Sequence, residues 1–223
     1  MLHEITRSRL GAMKSPSDEV INFYRRNAAA WVRDRDGEAT LYEQPWIDRF
    51  KALIPAGGMV LDLGCGSGMP IASHLISAGY AVTGVDGSPE MIDFFRKRQP
   101  SATGHLADMR TLVLQQKFNG ILAWDSFFHL NPDDQRKMFA LFAQHAASGA
   151  ALMFTSGPAA GESVGRLFGD ELYHASLDPE DYRNLLAETG FVVIDHVAED
   201  QQCGHRTVWL ARRDEGCVSG GKA

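Results

Sequence analysis

The stretch GMVLDLGCGSGMP, Gly58 to Pro70, constrains the fold more than any other part of the chain. A short apolar run ends at an aspartate, Asp62, and glycine then returns at every second position, Gly64, Gly66 and Gly68. Such backbone turns sharply and lets another group approach closely, as a buried strand passing into a helix requires. From Met59 to Ser156 one pattern repeats. Apolar runs (MVLDLG, YAVTGVD, GHLAD, FNGILAWDS, GAALMFTS) alternate with amphipathic stretches (PIASHLISAG, SPEMIDFFRKR, PDDQRKMFALFAQHAA). Strand–helix alternation predicts an α/β fold with a parallel sheet covered by helices on both faces. At the end, GFVVIDHVAED and HRTVWLARR are two strands with no helix between them, so the last strand is expected to run antiparallel to the rest.

The flanking segments divide the chain further. Residues 1–16 and 214–223 read as flexible tails. Residues 17–56 read as N-terminal capping helices: Val20, Tyr24, Ala28 and Trp31 recur at helical spacing, and QPWIDRFKALI forms a second helix. The ligand-binding domain spans 57–213, and within it the Gly-rich segment 157–178 is long for a connector and reads as a lid or substrate loop. Of the 223 residues 44% are apolar, yet no run reaches the ~20 needed to cross a bilayer. The first residues lack the apolar stretch of a secretion signal, so a soluble cytoplasmic protein is expected. A formal charge of -6 disfavours extended phosphate binding. The three cysteines are scattered without a CxxC, which gives no metal framework.

In a sheet of this kind ligands bind beyond the carboxyl ends of the strands. The second strand ends at Asp86, 22 residues after Gly64, a separation that suits hydrogen bonding to ribose hydroxyls. A dinucleotide site prefers G-x-G-x-x-G, but here the third glycine comes one residue early and Met69 takes its place. Asp62, two residues before Gly64, would repel a pyrophosphate and attract a cation.

With these residues in view, VLDLGCGSG resembles motif I of class I S-adenosylmethionine-dependent methyltransferases, and VTGVDGSPEMI resembles the motif after it. HLADMRTL, FNGILAWDSFFHL and LLAETGFVVI resemble the family's third-strand, fourth-strand and last-helix motifs, and FYRRNAAAWV the helix that caps the cofactor in small bacterial members. The resemblance implies a Rossmann-like fold with a seven-stranded, mostly parallel sheet whose last strand is antiparallel. It implies S-adenosylmethionine as cofactor and S-adenosylhomocysteine as product. It also implies roles. Gly64, Cys65, Gly66 and Gly68 pass under the methionine moiety, and Asp62 faces its ammonium. Asp86 holds the ribose, with Gly87 and Ser88 beside it; Met91 covers the adenine, Asp108 bonds its amine and Met109 packs on the ring. Trp124, Asp125 and Ser126 line the edge next to the methyl, and Tyr24 and Trp31 close the site. For Met91, Met109, Tyr24 and Trp31 ordinary core packing competes with cofactor contact.

A base is needed only if the acceptor is still protonated at neutral pH, and His129, His174 and Tyr173 are the candidates for it. The fourth strand ends in WDSF, not the Asn-Pro-Pro-Tyr of DNA amino-methylating enzymes, so a small-molecule acceptor and no nucleic acid is expected. A monomer or homodimer, with no membrane and no metal, completes that expectation. The rivals are a non-catalytic cofactor-binding protein, an enzyme acting on a protein side chain, and a nicotinamide-dependent oxidoreductase.

Overall fold

The computed structural model describes residues 16–37 and 41–216. The expected tails therefore lie mostly outside the described residues. The elements run α1 (Pro16–Asp36), α2 (Gln44–Ala52), β1 (Met59–Leu63), α3 (Ile71–Ser77), β2 (Ala81–Asp86), α4 (Pro89–Arg98), β3 (Thr103–Leu106), β4 (Phe118–Ala123), α5 (Pro132–His145) and β5 (Ala146–Ser156). They continue with β6 (Gly161–Leu167), β7 (Asp170–Ser176), α6 (Pro179–Glu188), β8 (Phe191–Asp200) and β9 (Arg206–Arg213).

Three helices start by the same local chemistry. Ser88, Asn131 and Asp178 sit in extended backbone, each just before a proline that opens α4, α5 or α6. Their side-chain oxygens accept from the backbone N–H of Met91 (3.3 Å), Asp134 (2.9 Å) and Glu180 (2.8 Å), while proline has no N–H to leave unpaired.

Seven strands form the main sheet in the order β3-β2-β1-β4-β5-β9-β8. The pairs from β3 to β5 are parallel, and β9 lies between β5 and β8, antiparallel to both. Strand alternation divides the core in two. Leu61, Leu63, Ile121, Ala123, Leu152 and Phe154 face one layer, with Phe127, Phe139, Phe142, Tyr182 and Trp209. Val60, Leu122, Ala151 and Met153 face the other, with Trp46, Phe50, Leu75, Ile92 and Phe95. Both faces are buried, which is why the strands read as near-continuous apolar runs. The sequence proceeds from β1 outward to β3 and then returns to β4 on the opposite side of β1. The connections after β1 and β4 therefore diverge, and a crevice opens at their carboxyl ends.

Two segments differ from the sequence reading. The expected lid or substrate loop at 157–178 contains a regular antiparallel hairpin, with β6 and β7 paired from Gly161↔Ser176 to Leu167↔Asp170. Leu172 packs on Val20 and Phe23 of α1, and Asp170 accepts from Arg26 and Asn27. Glycines in this segment hid the strand pattern. Of the two expected capping helices, only α1 covers the crevice. α2 belongs to a core layer: Trp46, Ile47 and Phe50 are buried, and the Phe50 ring fills the space that a Cβ on Gly120 would need. No helix among the described residues is long and apolar enough to cross a membrane.

Candidate functional site

The loop after β1 is held from both sides. The N–H groups of Gly64 and Cys65 both donate to the Val85 carbonyl, at 2.7 and 3.1 Å. Gly64 has φ +76°, and a Cβ there would overlap Cβ of Ser126. Ser126 in turn donates its hydroxyl to the Leu63 carbonyl at 2.6 Å, locking the end of β4 to the end of β1. Gly68 similarly makes room for Phe95 and Gln99. The sequence reading gave all three glycines to ligand approach. All three line the cleft, and all three also lie against the protein's own side chains: Gly64 against Ser126, Gly68 against Phe95 and Gln99, and Gly66 under the Trp31 ring, where it donates its N–H to Asp86 at 3.0 Å.

Between this loop, α1 and the ends of β2 and β4 lies a cleft with about 1070 Å³ of empty space, open mouth included. Tyr24, Trp31, Asp62, Gly64, Cys65, Gly66, Gly68, Asp86, Gly87, Met91, Asp108, Met109, Trp124, Asp125, Ser126 and His129 all line it, which brings the expected residues together from five separate motifs. Three expected residues lie elsewhere. Ser88 is buried as the cap of α4, His174 faces a neighbouring groove, and Tyr173 donates its hydroxyl to Glu162 on the hairpin at 2.5 Å.

The cleft is acidic in a specific way. Asp62 is 5% exposed, and its carboxyl accepts no hydrogen bond among the described residues. Burial first, and the nearby Asp86 charge second, push its pKa up to about 7. Asp86 is also pushed up, to about 6, by burial, against the stabilising N–H groups of Ser88, Gly66 and Gly87. One Asp86 oxygen accepts from Ser88 at 2.8 Å and the other from Gly66. Each keeps a second lone pair, so the residue can brace the glycine loop and still meet hydroxyl donors. Burial raises the Cys65 thiol well above its usual range, which leaves it a buried filler without nucleophilic character.

At one end of the cleft Asp108 caps the short turn Met109–Thr111. Arg110 grips it: Nε lies 3.0 Å from each carboxylate oxygen, and Nη2 2.5 Å from Oδ2. The same guanidinium reaches Asp18 of α1 at 2.5 Å and Asp134 of α5 at 3.3 Å. Arg110 thus ties the covering helix to the sheet, a role the sequence reading missed although Arg110 lies two residues from Asp108. Arg35 was missed as well. It lines the cleft one helical turn beyond Trp31 and pairs with the buried Glu43.

At the other end, Asp125 adopts φ +45° and accepts from Arg206 at 2.9 Å, while its own N–H donates to Thr155. Trp124 lines the cleft, and its Nε1 is a buried donor with no hydrogen-bond partner among the described residues. His129 is 5% exposed and its Nδ1 lies 2.8 Å from the Tyr173 carbonyl. A carbonyl only accepts, so Nδ1 carries the proton. Burial pulls the histidine down to about 3, so it is neutral and Nε2 is an acceptor. Tyr24 therefore donates its hydroxyl to Nε2 across 3.0 Å. Burial, with the Asp125 and Asp86 charges next, raises the Tyr24 phenol far above its usual range and keeps it protonated.

This donor and acceptor set fits an amino-nucleoside. Asp62 accepts no hydrogen bond among the described residues and suits an ammonium, Asp86 suits hydroxyl donors, and Met91 and Met109 add apolar lining to the same cleft.

Comparison with known proteins agrees with the geometry. Residues 60–149 match the family described as "Methyltransferase domain". A dTDP-3-amino-3,4,6-trideoxy-alpha-D-glucopyranose N,N-dimethyltransferase of Streptomyces venezuelae is 29% identical over 108 residues, 48% of this chain and 45% of that protein. The chain spans less than half the length of the curated relatives it matches. Among solved structures, magnesium protoporphyrin IX methyltransferase from Synechocystis PCC 6803 with bound SAM superposes with a TM-score of 0.70 at 18% identity, covering 92% of this chain and 100% of that one. The 1,6-didemethyltoxoflavin-N1-methyltransferase of Burkholderia thailandensis, with bound S-adenosylhomocysteine, gives 0.70 at 17% identity and 92% of each chain. At such identities the likeness is one of fold.

Proposed function

We propose that this chain, whose residues 60–149 form a class I S-adenosylmethionine-dependent methyltransferase domain, transfers a methyl group to a small-molecule acceptor. The observation that carries the reading is the pairing of Asp62 and Asp86, two buried carboxylates on one cleft at the divergence of β1 and β4. A phosphate-bearing cofactor would be repelled there, whereas a cationic amino-nucleoside is attracted. When bound, S-adenosylmethionine supplies an electrophilic methyl group on a sulfonium.

Asp62 would hold the amino-acid end, Asp86 the ribose, and Met91 and Met109 the base. α1 covers the cleft and excludes water; its Tyr24, together with Asp125 and His129 beyond the end of β4, would surround the acceptor. A neutral histidine held near 3 is a weak base. The Tyr24–His129 pair therefore orients an acceptor by hydrogen bonding, while the nucleophile attacks with a lone pair it already has. A neutral amine or ring nitrogen meets that condition and releases its proton to solvent after transfer. Relatives named as N,N-dimethyltransferases and an N1-methyltransferase support nitrogen as the acceptor atom. Relatives named for sugar and toxoflavin substrates favour a small molecule over a protein side chain.

Isothermal titration with S-adenosylmethionine and S-adenosylhomocysteine tests the cofactor. Binding of both is expected, with at least a tenfold loss in Asp86→Ala. No heat from either ligand refutes the proposal. Release of S-adenosylhomocysteine with a panel of small amines then separates an enzyme from a non-catalytic binding protein.

A further inference from the structure

Beside the cleft, between the hairpin and the end of β5, lies a second depression of about 690 Å³ including its mouth, walled by Phe128, Ser156, Ser163 and His174. Phe127 and Phe128 are neighbours in one short turn, yet Phe127 is fully buried in the core and Phe128 only half-buried in this groove. The Phe128 ring stacks on His174, with centroids 5.4 Å apart and planes 29° apart. The His129 ring lies 4.8 Å from each of them. Three rings thus make a continuous wall from the groove to the Tyr24–His129 pair at the cleft.

His174 adds a directional group. Its Nδ1 lies 3.1 Å from the Leu172 carbonyl and so carries the proton. Burial lowers its pKa, which keeps the ring neutral. Nε2 then retains a lone pair with no partner among the described residues. Glu162 on the rim already accepts from Tyr173, and its charge disfavours an anionic ligand.

We propose that this groove is the acceptor-ring subsite: it takes a flat, uncharged aromatic ring lying along the Phe128–His174 wall and carrying a hydroxyl or N–H that donates to His174 Nε2. The assignment rests on the methyltransferase reading and narrows its acceptor to planar aromatic compounds. An acyclic aliphatic amine has no ring face to match this wall, and a saturated ring lacks the π-face that adds to an aromatic pair.

The test uses the full chain saturated with S-adenosylhomocysteine, so that the cofactor cleft is blocked. 2-Naphthol and its saturated counterpart 2-decalol are titrated by saturation-transfer NMR. 2-Naphthol should bind at least about twofold more tightly than 2-decalol, since an aromatic pair contributes ~0.5–1.5 kcal/mol beyond its area. Phe128→Leu should weaken 2-naphthol threefold to tenfold, to the order set by that same contribution. Ser163→Trp, which fills the groove from the exposed strand opposite His174, should abolish its binding. S-adenosylhomocysteine affinity should be unchanged in both variants. Failure of 2-naphthol to bind, equal binding of 2-decalol, or an unaltered 2-naphthol affinity in Ser163→Trp overturns the subsite while leaving the cofactor reading intact. Failure of the wild-type chain to bind S-adenosylhomocysteine instead overturns the reading beneath it.

Discussion

Replacing Asp62 by asparagine removes a buried negative charge without removing a hydrogen bond, because the carboxyl accepts none among the described residues. The shape is conserved and only the ionisation is lost. In the folded chain Asp62 titrates near 7, against 3.8 when unperturbed. A raised carboxyl pKa means that the folded state binds more protons than the unfolded one between these values. Stability from this group is therefore fully present below about pH 4 and is lost as pH rises through about 7. At about 1.4 kcal/mol per tenfold change in proton affinity, the ionised Asp62 costs the apo protein about 4 kcal/mol at pH 8. Asp62→Asn escapes that cost. Thermal melts of both proteins should nearly coincide at pH 4 and separate by roughly 8–16 °C at pH 8, with the variant the more stable. The difference between the two proteins is the informative quantity. His129, whose depressed pKa contributes stability that is lost as pH falls from about 6.5 towards 3, acts equally in both and cancels. Asp86 does not cancel, because its charge is one of the two causes that raise Asp62, and Asp62→Asn relieves that repulsion as well. Adding S-adenosylhomocysteine should reverse the order at pH 8, since its ammonium needs the charge that asparagine lacks. A Tm difference that does not change with pH would refute the assignment of Asp62 as an unpaired, buried carboxyl.

Cofactor affinity should itself depend on pH. Binding a cation to Asp62 and Asp86 favours their ionised forms, so the Kd for S-adenosylhomocysteine should tighten at least about tenfold from pH 5 to pH 8. Titrations in buffers of different ionisation enthalpy should show proton release, and none at pH 6 would contradict the electrostatic account. Gly64→Ala meets two obstacles, a φ of +76° and a steric overlap with Ser126, and should lose more than about 3 kcal/mol in urea unfolding. Adding Ser126→Gly should recover the steric part only; full recovery would show that the backbone conformation is unstrained. Tyr24→Phe should leave the S-adenosylhomocysteine Kd within twofold but slow transfer to an accepted amine about 10- to 100-fold, through loss of orientation. An unchanged rate would remove Tyr24 from the acceptor site.

Local rules made much of the molecule legible in the sequence. The Ser-Pro, Asn-Pro and Asp-Pro pairs set three helix starts, and the two adjacent terminal strands foretold the antiparallel β9. Asp62, the Gly64–Gly68 loop, Asp86 and Asp108 could be read because each lies at a strand end at a spacing that the parallel sheet dictates. The hairpin could not, since glycines at 157, 161, 165 and 169 and exposed side chains on β6 erase its alternation.

Apart from the β6–β7 hairpin, the order of strands and helices along the chain was determined by the sequence alone, and with it the strand ends at which a crevice must open, because both depend on periodicity and capping over a few residues. Only the tertiary structure decided the partnerships across that crevice. Gly64 is bare for Ser126, 62 positions away; Tyr24 donates to His129, 105 positions away; Arg110 grips Asp18, 92 positions away. Each depends on side-chain directions fixed by packing three layers together. Spacing along a chain carries no information about such directions until the sheet has brought the residues face to face.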